Sequence, residues 1–142
     1  MTQNVKPDDL SRSNVKLVII GCGESSLIKP YRELLKTPFP IYADNSKKLY
    51  ESLGMTLRTL DGGPETPYYQ RTGIVGNVFA SIANAFKMGQ LFKKAGDVKQ
   101  LGGEFAFEGY QVLYCHRMES TRGHAPLGEL LSAAGVQVPG VA

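Results

Sequence analysis

Lys16-Leu17-Val18-Ile19-Ile20-Gly21-Cys22-Gly23-Glu24-Ser25-Ser26 is the stretch on which the fold turns. Residues 16–21 (KLVIIG) are a continuous β-branched, apolar run closed by a glycine. A run without polar alternation suits a strand buried on both faces of a parallel sheet. Residues 21–26 then read as a loop. A helix follows from about Leu27 to Lys36, with Pro30 tolerable only in its first turn. Pro38 and Pro40 end it, and Ile41-Tyr42-Ala43 forms a short second strand. Asn45 or Ser46 is placed to cap a helix running through Leu53, and Gly54 sits where a C′ glycine belongs. Strand and helix therefore alternate, which is the layout of an α/β fold.

Working outward, residues 1–14 read as a lead-in, with Pro7-Asp8-Asp9 as a helix start. Residues 56–73 hold Gly62-Gly63-Pro64 and Pro67 and read as a long loop. The stretch from Ile74 to Phe92 is apolar but broken by Asn77, Ser81, Asn84, Lys87 and Gln90. Those positions fall at helical spacing, so the expectation is an amphipathic helix over 74–94 and not a membrane span. Gly102-Gly103 opens the strand EFAFE (104–108), and QVLYC (111–115) supplies its partner. Glu108-Gly109 or Gly109-Tyr110 makes the hairpin turn. A basic loop follows from His116 to His124. Leu127 to Ala134 is a last helix stopped by Gly135.

With 142 residues, the chain is expected to be one domain, 1–142. Its 42% hydrophobic and 20% charged residues exclude wholesale disorder and a coiled coil. A net charge of +3 is too weak to argue for nucleic acid. Two cysteines do not make a secreted disulfide scaffold, and two histidines give no zinc-ligand spacing. No metal or cofactor is expected. The polar start MTQNVKPDDLSRS has no apolar signal region. The expectation is a reduced, cytoplasmic protein without a membrane span.

Three features could carry chemistry. Gly21-x-Gly23 follows a strand and opens a helix, and Asp44 stands 21 residues after Gly23, imitating a dinucleotide fingerprint. Ser26 replaces the third glycine, however, and Pro30 removes an N–H from the helix start, so a Gly-tolerant turn explains the pattern better. The second feature is the thiol pair, Cys22 and Cys115, each at a strand end. A free cysteine is most often a small buried hydrophobe. His116 and Arg117 follow Cys115 and could lower its pKa, although neighbours on a strand point to opposite faces. The third is the loop His116-Arg117-Met118-Glu119-Ser120-Thr121-Arg122-Gly123-His124, whose two arginines and two histidines could hold an anion. Its plain alternative is a solvated loop paired with Glu104, Glu108 or Glu119.

VIIGCG (18–23), LIKPYRELLKTPFPIYADNSKKLYESLGM (27–55), GGEFAFE (102–108) and YCHRMESTRGHA (114–125) together resemble the peroxiredoxin-like 2 family. This is a thioredoxin-fold group of the alkyl hydroperoxide reductase/thiol-specific antioxidant type. The resemblance covers roughly residues 14–134. It implies a truncated thioredoxin-like, peroxiredoxin-like α/β sandwich with the long amphipathic helix as an insertion. Members begin with a strand and helix carrying the redox cysteine, often as Cys-x-x-Cys. This sequence starts after them, so the resemblance carries the peroxidatic role onto neither Cys22 nor Cys115. In such a sheet the strand left out is the central one. The gap is closed by direct pairing of the two halves, by residues 1–14, or by another chain.

Three functions are then in play, the first expected ahead of a working peroxidase because the resemblance leaves out the redox-cysteine motif. One is a scaffold repurposed as a cofactor-free isomerase or cyclase for a small organic molecule, as in fungal secondary metabolism. The second is a thiol antioxidant using Cys22 or Cys115, and the third a non-catalytic interaction module. The expected site gathers Cys22, Cys115, His116 and Arg117 as catalytic groups, with Tyr42, Arg122 and His124 binding the small-molecule substrate. The apolar stripe Val75, Phe79, Ile82 and Phe86 is expected to form a homodimer.

Overall fold

A computed structural model describes residues 5–63 and 94–137. The amphipathic stretch expected over 74–94 therefore lies outside the described residues, apart from Lys94. Helix α1 is Pro7–Arg12, started by Pro7 and carrying Asp8 and Asp9 in its first turn, where the positive end of the helix favours carboxylates. Strand β1 is Ile19–Gly21, shorter than the run 16–21. It is not buried on both faces, since among the described residues it pairs only with β2 (Ile41–Ala43) and Val18 just before it is exposed. The two strands pair in parallel, Ile19 with Ile41 and Gly21 with Ala43. Between them a 3-10 turn, Ser25–Leu27, leads into α2, Ile28–Leu35. Pro30 lies in the first turn of α2, as its missing N–H requires.

Helix α3 is Lys48–Ser52. Neither Asn45 nor Ser46 caps it. The carboxylate of Asp44, at the end of β2, takes the N–H groups of Leu49 (2.9 Å) and Tyr50 (3.3 Å) instead. A charged acceptor at the positive helix end outcompetes the neutral side chains beside it. Gly54 follows the helix with φ +72°, the left-handed conformation a C′ glycine supplies.

Strands β3 (Gly103–Glu108) and β4 (Gln111–Arg117) form an antiparallel hairpin. Its two-residue turn is Gly109-Tyr110, with Gly109 at φ +57°. Near the turn Glu108 faces Gln111 and Phe107 faces Val112. The register then shifts, so that Ala106 faces Tyr114, Phe105 faces Cys115 and Glu104 faces His116. Leu113 is the extra residue of a β-bulge. The last helix, α4, is Leu127–Ala133, and Gly135 follows at φ +74°.

Among the described residues the strands make two separate two-stranded sheets. The two halves do not pair directly, and residues 7–12 form a helix rather than a strand. Helix α4 is one of the links between the halves. Leu127 and Leu131 are buried with Val5, Leu10, Phe39 and Val136, against which Leu17 and Ile19 also pack. The same helix also packs on both strands of the hairpin. Burying a leucine side chain stabilises by about 1.5–3 kcal/mol, so these leucines are a main tie between the sheets.

Candidate functional site

Cys22 leaves β1 into a loop that is closed by the chain's own backbone. Glu24 N–H donates to the Lys94 carbonyl at 2.9 Å. A Cβ on Gly23 would stand 3.0 Å from the carbonyl oxygens of Lys94 and Ala95. A Cβ on Gly96, whose φ is +77°, would stand 2.5 Å from the Cys22 carbonyl oxygen. Gly23 thus admits residues 94–96 where a dinucleotide fingerprint would admit a pyrophosphate. The Cys22 thiol lies 3.9 Å from the Asp97 carbonyl oxygen. Burial pushes its pKa above the ordinary thiol value, ahead of the lowering by backbone hydrogen bonds and Lys47. Tyr50 donates its hydroxyl to the Ile20 carbonyl at 3.0 Å, and burial pushes its phenol up to about 12. Burial and the nearby Cys22 also raise Tyr31. Asp97 pairs with Arg58 and with Lys47, and the Arg58 hydrogen bond leads in holding its carboxyl below the usual range.

The hairpin has two chemically distinct faces, because cross-strand partners share a face. One face carries Phe105, Phe107, Val112, Cys115 and Arg117. Phe105 and Phe107 stack with ring centroids 6.2 Å apart, and the Arg117 guanidinium lies 5.8 Å from the Phe105 ring centroid. Arg117 Nε–H donates to the Leu53 carbonyl at 2.6 Å, closing the end of α3. Cys115 is exposed on this face, as are Phe107 and Val112.

The other face carries Glu104, Ala106, Tyr114 and His116, and α4 packs on it. Tyr114 donates to Glu129 of α4 at 3.3 Å. Burial, then the Glu129 charge, raises its phenol. Glu104 is the centre of a polar cluster. Its Oε1 accepts from His124 Nδ1 at 2.6 Å, and its Oε2 accepts the Ala125 N–H at 3.3 Å. His116 Nε2 stands 4.0 Å from Oε2 and donates to the Gly123 carbonyl at 2.7 Å. The Glu104 side chain is 9% exposed, against 34% for His116 and 30% for His124.

The residues singled out from sequence are thus distributed over five surroundings. Cys22 sits with Tyr31, Tyr50 and Asp97. Cys115 and Arg117 share the open hairpin face, while His116 and His124 meet at Glu104 on the covered face. Arg122 packs against Gly62, and Tyr42 is exposed on β2 opposite Ile20. Glu104 is the residue that sequence reasoning passed over, treating it only as a surface partner. A regular hairpin closed at Gly109-Tyr110 would set Glu104 opposite Cys115; the bulge at Leu113 brings His116 there instead. Among the described residues no group of three or more His, Cys, Asp or Glu is placed to hold a metal ion. No described helix is long and apolar enough to cross a membrane.

A parallel strand pair linked by a helix, followed by an antiparallel hairpin and a helix packed on it, is the order of elements in a thioredoxin-like α/β fold. A family model described as AhpC/TSA antioxidant enzyme matches residues 3–120, and the chain belongs to that family. Peroxiredoxin-like 2C of Takifugu rubripes is 31% identical over 136 residues, covering 92% of this chain and 60% of that protein. The chain therefore spans 60% of the length of this curated relative. No solved structure matches it.

Proposed function

We propose that the protein is a thiol-dependent antioxidant of the peroxiredoxin-like type, with Cys115 as the thiol that meets a small-molecule peroxide. The observation that carries this reading is the contrast between the two thiols. Cys115 is exposed beside Arg117 on the hairpin face opposite α4, whereas Cys22 is half-buried and burial pushes its thiol up. In the reaction the Cys115 thiolate attacks one peroxide oxygen and the O–O bond breaks. The departing alkoxide takes a proton, and the sulfur is oxidised to a sulfenic acid. A low-molecular-weight thiol condenses with it, releasing water and leaving a mixed disulfide. A second such thiol attacks that disulfide, restoring Cys115 and leaving as the oxidised dimer. The chain holds no Cys-x-x-Cys, so both reducing equivalents come from this external thiol. The test is peroxide consumption with dithiothreitol. Cys115→Ser should abolish it and Cys22→Ser should leave most of it; turnover persisting in Cys115→Ser overturns the reading.

A second reading is favoured by the 2.6 Å contact between His124 and Glu104. A carboxylate-oriented imidazole is the usual form of a general base. The scaffold would then act without a cofactor on a small organic molecule, as an isomerase or cyclase, with His116 and His124 moving protons. Membership of the antioxidant family supports the first reading rather than this one. Under both readings the proposed setting is the reducing cytoplasm, and the proposed assembly is a homodimer.

A further inference from the structure

We draw no further inference here: the strongest candidate, the exposed apolar patch that Phe107, Tyr110, Val112 and Leu113 form at the tip of the β3–β4 hairpin, carries none, because nothing in the structure shows what covers it.

Discussion

Glu104 and His116 face each other across the hairpin because one extra residue, Leu113, lies between them and the turn. Their side chains come to 4.0 Å, and the loop that follows β4 folds back to add His124 to the same carboxylate. A side-chain period of two makes the effect of a bulge all-or-none: one residue more or less moves every later side chain to the opposite face. The bulge therefore puts the thiol of Cys115 on the open face and the imidazole of His116 on the covered one.

Removing the carboxylate should loosen the whole 118–126 loop. Glu104→Ala leaves the Ala125 N–H and the His124 Nδ1–H without their acceptor, and should cost about 1–3 kcal/mol in urea unfolding. Glu104→Gln, which still satisfies Ala125, should cost clearly less. Equal losses for the two variants would mean that the carboxylate contributes through its packing alone.

The thiols should differ in reactivity. An aromatic disulfide reagent at neutral pH should label Cys115 first, because it is exposed, and Cys22 more slowly, because it is half-buried and burial pushes its thiol up. Single Cys→Ser variants assign the phases. A fast phase that survives in Cys115→Ser would contradict this ordering.

Alkaline pH should destabilise the fold through Tyr50 and Cys22. Both have pKa values raised in the folded state, so the unfolded chain loses its protons first. The stability they contribute is complete below the unfolded values. It is lost as pH climbs from about 9 for the thiol and about 10 for the phenol toward the folded value near 12 for Tyr50. Tyr50→Phe should flatten the upper part of this decline, measured as the urea midpoint against pH. It should also cost about 1 kcal/mol at neutral pH for the lost bond to Ile20.

Gly96 and Gly21 should respond oppositely to alanine. Gly96 combines φ +77° with a Cβ position 2.5 Å from the Cys22 carbonyl oxygen, so Gly96→Ala should cost about 2 kcal/mol or more. A Cβ at Gly21 meets nothing within 4 Å, so Gly21→Ala should stay within about 0.5 kcal/mol of wild type. Thermal melts of the two variants provide the comparison.

Assembly is a further expectation. Sedimentation at high micromolar concentration should give a dimer, and Phe79→Asp should dissociate it, since an unpaired carboxylate is strongly disfavoured in an apolar contact. A monomeric wild type would refute the homodimer.

The sequence by itself determined the elements whose causes are local. The turn at Gly109 and the helix stops at Gly54 and Gly135 rest on residues within a few positions of where they act, whereas the burial of the run KLVIIG does not follow from its composition. The family was legible for the same reason: its motifs are contiguous strings. The tertiary structure decided what depends on distant segments meeting. Asp44, rather than its polar neighbours, caps α3 because β1 and β2 pair where they do. Gly23 is a glycine because residues 94–96 press against it, and that contact has no local signature. Glu104 joins His116 and His124 through a bulge no pattern of alternation announces, since both registers keep one apolar face. Propensity and pattern act through neighbours along the chain, whereas register and close approach are selected by the packing of the whole. In this protein that packing determined which of the candidate groups share a site.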